Sequence, residues 1–285
     1  MKDKISLYIC IVFLVLFSAS FRWPAENITI TSTFGESRGN HFHDGMDVIS
    51  SDRKIYPVAD GELVFFWDRS VFPLDDYPGL GNYRIVRHND TLYSLYAHLE
   101  DDVPKKKTYS SEDLLGMMAN TGRSYGRHLH FTLIERKTGK SVNPMKVLPG
   151  VDDIKPPVIN GLFIRIDDHY YSIREGSNIR LTRHYPLLID IFDSIKGSEK
   201  CGVYSLDVSV NDKKVYSVTF DAIGNSKNGL TISGNIFHSL FDEKGYYKIP
   251  KVSYRDGVNT VTVSARDFSG HTSTKKYSFN VKLEI

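Results

Sequence analysis

Cysteine is almost missing. The 285 residues contain two, Cys10 and Cys201. Cys10 sits in an apolar N-terminal run and lacks the small preceding residues of a lipoprotein cleavage site. Cys201 then stands alone, which excludes an internal disulfide and a cysteine-built metal site in the processed chain. A charge excess is missing too. With 36 Lys and Arg against 34 Asp and Glu, the net charge is +2, which argues against a strongly basic nucleic-acid binder. Long apolar runs are absent beyond the N-terminus, so no membrane span is expected in the processed chain. Helix signal is scarce, and only Ser110 to Ala119 reads as weakly helical. No His-Glu-x-x-His motif occurs, so no glutamate base of that kind is implied.

The N-terminus has the order of an export signal. Lys2 and Lys4 precede an apolar run from Ile5 to Phe17, and Ser18-Ala19-Ser20 offers small residues for cleavage. Residues 1–20 are therefore expected to be a signal peptide, with an uncleaved anchor as the alternative. The run is shorter than the roughly 20 residues a spanning helix needs. Either way the remainder lies outside the cytoplasm, periplasmic or extracellular.

With 17 Tyr and 16 Phe beside 21 Gly and 11 Pro, the composition favours strands and turns. "ENITITSTFG" alternates up to Gly35. "YPVADGELVFFW" predicts a hairpin at Asp60-Gly61. "GNYRIVRHNDTLYSLYAHL" predicts two strands around Asn89-Asp90. "RHLHFTLIERKTGKSVNP" predicts a strand with a turn at Thr138-Gly139. Pro149, Gly150, Pro156 and Pro157 then mark a linker over 150–157. Short alternating strands resume beyond it, with "NDKK" and "DFSG" as hairpin tips. The expectation is an all-β chain: an antiparallel domain at 21–149, then an Ig-like β-sandwich at 158–285.

Chemistry concentrates in the first domain. "HFHDGMDV" holds His43 and Asp47 four apart, with Gly45 between them to let the backbone turn. "GRHLHF" holds His128 and His130 two apart, hence on one face of a strand while Leu129 packs behind. His98 lies mid-strand in "LYAHL". Two imidazoles and one carboxylate meeting on one ion make a three-ligand zinc site with a fourth position for water, as hydrolysis requires. Each pair alone is a weak signal; their joint occurrence is specific.

In order and context, "STFGESRGNHFHDGMDV", "YPVADGELV", "LYSLYAHL" and "TGRSYGRHLHF" resemble the lysostaphin and LytM-type peptidoglycan endopeptidases. The resemblance covers roughly Thr31 to Pro144. It implies a small β domain with an open groove, and one Zn2+ per chain held by His43, Asp47 and His130. It implies that His98 and His128 are the non-ligand histidines that handle the water and the developing oxyanion, their division of roles left open. The implied activity is hydrolysis of peptide crosslinks or stem peptides of peptidoglycan. The alternative is a non-catalytic cell-wall-binding regulator of another murein hydrolase. The family usually carries Gly-Pro before its His-x-His; this chain has Gly126-Arg127. Arg127 and Tyr125 are candidate substrate contacts at the groove edge.

The other candidates are read more plainly. His41 is a rim residue beside His43. His88 is a surface residue at a hairpin tip. His169, His184, His238 and His271 have no partner spacing and are structural or solvated. Tyr93 is core or groove wall. Asp75 and Asp76 lie in a solvated loop, as does Lys105-Lys106-Lys107. A second domain placed over the groove would keep it latent until it swings away.

Overall fold

The computed structural model describes residues 21–101, 103–195 and 200–284. The expected signal segment 1–20, with Cys10, lies outside the described residues. Among those that are described, no helix is long and apolar enough to cross a membrane.

The first half is built on an antiparallel sheet, with Lys54–Ile55 and Gly116–Met117 as a separate two-stranded pair. Its strands are β1 (Thr29–Ser32), β2 (Met46–Ile49), β3 (Lys54–Ile55), β4 (Gly61–Trp67), β5 (Asn82–Arg87), β6 (Leu92–Leu99), β7 (Thr108–Tyr109), β8 (Gly116–Met117), β9 (Leu129–Glu135) and β10 (Ser141–Val142). Strand β9 is central: β2 and β10 pair with it, as does β6, which continues through β5 to β4 and β7. Alternation decides the faces. Leu129, Phe131 and Leu133 of β9 point into the core with Tyr96 of β6, and all are at most 1% exposed. His130 and Thr132 point the other way.

The two strands around Asn89-Asp90 pair as β5 and β6, and the turn at Thr138-Gly139 joins β9 to β10. Two local expectations fail. Asp60-Gly61 does not close a hairpin, because β3 pairs with β8 while β4 pairs with β5 and β7. The Asp60 carboxylate instead accepts the Ser111 backbone N–H at 2.7 Å. Ser110 to Ala119 is not helical. Its backbone donors go across the chain, Leu115 N–H to Ile55 C=O at 2.8 Å and Met118 N–H to Arg53 C=O at 2.7 Å. Buried Leu115 and Met118 hold it there, so packing overrides weak propensity.

The second half contains β11 (Val158–Ile166), β12 (His169–Ile173), β13 (Asn178–Leu181), β14 (Leu187–Phe192), β15 (Ser205–Val210), β16 (Lys213–Thr219), β17 (Ala222–Ser226), β18 (Gly229–Ile232), β19 (Asn235–Ile236), the single-turn helix α1 (Phe237–Leu240), β20 (Tyr247–Ile249), β21 (Gly257–Arg266) and β22 (Thr272–Leu283). A four-stranded sheet runs β12-β11-β14-β20 and a five-stranded one β13-β22-β21-β15-β16. Their inward residues, among them Leu162, Ile189, Val208, Val263 and Phe279, belong to one core cluster. The hairpin tips fall at Asn211-Asp212, both at positive φ, and at 267–271.

The halves share a sheet. Strand β17 pairs with β10, Ser141 opposite Ile223 and Val142 opposite Ala222, and β18 and β19 extend it. Residues 222–236 thus complete the edge of the first half's sheet. The loop at 33–43 is braced from the same side. Phe42, 2% exposed, packs edge-on against Phe237 at 5.3 Å and Phe241 at 6.2 Å. Gly202 N–H donates to Glu36 Oε1 at 2.8 Å, and the same carboxylate accepts Thr33 N–H. Phe42→Ala is expected to cost about 3–5 kcal/mol, read from the midpoint of urea unfolding.

Candidate metal centre

Strand register builds the site. Asp47 on β2 lies directly opposite His130 on β9, and Ala97 on β6 lies opposite His130 on its other side. Opposed residues in a ladder share a face, so Asp47 and His130 emerge together on the face opposite the core. His43 comes from the loop before β2, pinned by Gly35 N–H to His43 C=O and His43 N–H to Glu36 C=O, each 2.8 Å. Gly45 does not act as a free turn here; its φ is not in the left-handed range. Its role is close approach. A Cβ there would collide with the Phe131 carbonyl and lie 2.6 Å from Thr132 Oγ1.

His43 Nε2 lies 3.1 Å from Asp47 Oδ1, His130 Nδ1 lies 3.0 Å from the same oxygen, and the two nitrogens are 3.0 Å apart. All three residues are buried, at 4, 8 and 7% exposure for His43, Asp47 and His130. In a tetrahedral zinc site, donor atoms lie about 3.4 Å apart, given bonds of roughly 2.1 Å. The observed triangle is slightly tighter than that. The outer partners orient both rings. His43 Nδ1–H donates to Thr33 C=O at 2.9 Å, with Ser32 Oγ at 3.2 Å, leaving Nε2 for the centre. His130 Nε2 faces Thr132 Oγ1 at 3.1 Å and Asp44 Oδ1 at 3.3 Å, leaving Nδ1. Outer partners of this type set tautomer and basicity at metal-binding histidines.

The electrostatics call for positive charge at this point. Burial works against ionised Asp47, but hydrogen bonds from His130 and His43 outweigh it and hold the carboxyl well below the usual range. Burial likewise opposes charge on His130, yet Asp44 and then Asp47 push it up to about 9. Arg38 donates to the second Asp47 oxygen, Oδ2, and to Ser32 Oγ at 2.9 Å. Donor types, spacing and charge therefore fit a divalent zinc ion.

His98 and His128 stand beside the triangle. Their ring centroids are 4.7 Å apart, and His98 lies 6.1 Å from His130. On a regular strand His98 would face away from Ala97 and His130. A register shift against β5 and a left-handed φ of 61° at His98 turn it back. A non-glycine residue in that region is strained, a condition found at functional sites. His98 Nδ1–H donates to Thr121 C=O at 2.7 Å, which leaves Nε2 as an acceptor. Burial first, then His128, lowers its pKa to about 4, with Thr121 C=O opposing. His128 Nδ1–H donates to Gly126 C=O at 3.0 Å, and its Nε2 lies 3.7 Å from Asp47 Oδ1.

The remaining candidates scatter. Tyr125 is fully exposed and Arg127 is exposed on the loop leading to His128. His41 is exposed, bonded to Asn40. His88 departs from its surface reading: it is half-buried, with Nε2 2.6 Å from Ser94 Oγ. Lys105 is not simply solvated either; it pairs with buried Asp68 and lies over the Phe66 ring at 5.0 Å. His271, read as lacking a partner, bonds Asp267 at 2.9 Å. Sequence reasoning missed Arg38, Asp44, Thr33, Thr121 and Thr132. Thr132 was accessible, because it alternates with His130; Thr33 and Thr121 act through backbone carbonyls and carry no sequence signal.

A profile described as "Peptidase family M23" matches residues 41–144, and a second one, without a description, matches 156–282. Murein hydrolase activator NlpD of Escherichia coli is 35% identical over 133 residues, covering 46% of this chain and 32% of NlpD. Peptidoglycan DD-endopeptidase ShyA of Vibrio cholerae is 34% identical over 106 residues, covering 36% of this chain and 22% of ShyA. The chain thus spans a third or less of these relatives' lengths. A zinc-containing peptidase structure from Vibrio cholerae aligns at a TM-score of 0.38 and 27% identity, over 46% of this chain and 41% of that one.

Two substitutions probe the centre. His130→Ala is expected to abolish bound zinc, measured by elemental analysis of the purified protein. Gly45→Ala is expected to reduce zinc content sharply although it removes no ligand, because its Cβ would crowd the Phe131 carbonyl and the His130 ring and push the chain before β2 off β9.

Proposed function

From the premise that residues 41–144 are a peptidase family M23 domain, we propose that this chain is an exported zinc-dependent endopeptidase acting on peptide crosslinks or stem peptides of peptidoglycan. One observation carries the reading. A donor triangle of His43, Asp47 and His130 stands beside two further imidazoles, each fixed through its Nδ1–H. A purely structural zinc site wants four protein ligands and no such neighbours.

When bound, zinc supplies Lewis acidity, polarising a carbonyl and making water more acidic. The side chains do the rest. Asp47, His43 and His130 would hold the ion, with Thr33 and Thr132 fixing the rings. His98 is neutral at physiological pH because its pKa is lowered to about 4, so its Nε2 can accept a proton from water. His128 presents Nε2 on the same side and can hold a proton for the departing amine or hydrogen-bond the carbonyl oxygen. Tyr125 and Arg127, exposed beside His128, are suited to contact the substrate, the guanidinium meeting a stem-peptide carboxylate.

A second reading has its own support. A relative 35% identical over 133 residues, NlpD of Escherichia coli, is a murein hydrolase activator. In that reading the same groove binds cell-wall peptides and stimulates a partner hydrolase.

Purified zinc-loaded protein incubated with defined peptidoglycan distinguishes the two. The endopeptidase reading expects chelator-sensitive release of peptide fragments, detected by mass analysis. His98→Ala is expected to lower turnover by roughly 10²–10⁴-fold while zinc content stays at one per chain. Fully loaded protein that releases nothing, yet accelerates another hydrolase, would establish the regulator.

A further inference from the structure

A second group of potential metal-binding side chains lies in the other half of the chain. Asp153, Asp267 and His271 bring one ligand atom each within 4.8 Å of one another. They come from three distant places. Asp153 is on the segment joining the halves, and Asp267 and His271 are in the loop between β21 and β22. Asp193, at the end of β14, adjoins them: Asp153, Asp267 and His271 all act on its charge.

Much of this loop is explained without an ion. Asp267 Oδ1 accepts the Ser269 and His271 backbone N–H groups at 2.9 and 2.8 Å, and Oδ2 lies 2.9 Å from His271 Nδ1. Asp267 thus caps the hairpin loop. The other two carboxylates are not explained in that way. Asp193 is 0% exposed, its backbone locked to Cys201 by two hydrogen bonds of 2.8 and 2.9 Å. Neither of its carboxylate oxygens meets a donor in hydrogen-bonding geometry, and the nearby Ser194 N–H supplies only a partial dipole. Asp153 Oδ1 accepts Lys155 N–H at 3.2 Å, but its Oδ2 is buried and unpartnered. Three buried carboxylate oxygens without donors, two on Asp193 and one on Asp153, are costly unless a cation compensates them.

We propose that Asp153, Asp267 and His271, with the buried and unpartnered Asp193 carboxylate beside them, form a site for a hard divalent cation of the calcium class, which ties the inter-domain segment to the second domain. Carboxylate oxygens outnumber the single imidazole, and that imidazole is already engaged with Asp267. Such a donor set suits calcium, which takes six to eight oxygens at about 2.3–2.6 Å, better than zinc. Backbone carbonyls and water would complete the shell. Burial, partly offset by Ser194 N–H and reinforced by Asp153 and Asp267, pushes the Asp193 carboxyl up to about 7.

The site predicts a crossed result with the full-length processed protein, stripped by chelator and reloaded with one zinc. Calcium chloride should bind saturably, with one site by calorimetry. At a concentration of about 100 times Kd it should raise the melting temperature by roughly 5–10 °C. Asp193→Asn should melt higher than the parent without calcium, since it removes an unpaired buried charge, and should gain less than a third of the parent's calcium shift. Asp153→Asn, half-buried on the connecting segment, should lose the shift as well. His130→Ala should keep it, which separates this site from the first. No saturable calcium binding, binding unchanged in both Asp variants, or a preference for zinc at this site would overturn the proposal.

Discussion

The pairing of β2 with β9 is the constraint on which the site depends. Because Asp47 sits directly across from His130, the carboxylate and the imidazole reach the groove side by side, and only His43 must be delivered from outside the ladder. A slip of one residue in that register would send Asp47 to the core face and Val48 to the groove. The alternating apolar set Met46, Val48, Leu129 and Phe131 holds the register against that slip, since each is at most 1% exposed. Core packing and metal geometry are thus one requirement, met by the same strands.

The loop carrying His43 relies on the rest of the chain. Phe42 is clamped by Phe237 and Phe241, and Glu36 gathers Thr33, Ser32 and Gly202 around one carboxylate. Thr33 in turn supplies the carbonyl that orients His43. A chain of contacts therefore runs from the second half to the donor nitrogen. Any swing of that half away from the groove would break the β10–β17 pairing and this support together. A latency that depends on such a swing fits the structure poorly.

The residues announced much of this architecture and less of its detail. Turn chemistry at Asn89-Asp90 and Thr138-Gly139, and the alternation of "RHLHF", were enough to expect the strands that carry His98 and His130; His128 lies one residue before β9, in an isolated bridge to Ala119. The reorientation of His98 was hidden, because a bulge and a left-handed φ depend on how β5 and β6 align, not on composition. Gly45 was recognisable as necessary, but for the wrong reason; the need is room beside Phe131, which is 86 positions away in sequence and visible only once β2 and β9 are paired. Ser110 to Ala119 has helical composition, yet two buried side chains and a neighbouring strand decide otherwise. His271 was read as solitary although Asp267, its hydrogen-bond partner, stands only four residues before it; Asp153, far off in sequence, was out of reach of such a reading.

The common sheet has a consequence for how the molecule responds to being cut. The segment at 150–157 is exposed along most of its length and rich in proline, a natural place for a protease to enter. Scission there would sever the covalent thread while the ladder between Ser141-Val142 and Ala222-Ile223, and the aromatic clamp on Phe42, remained in place. The two fragments would stay together as a nicked complex instead of parting as independent modules.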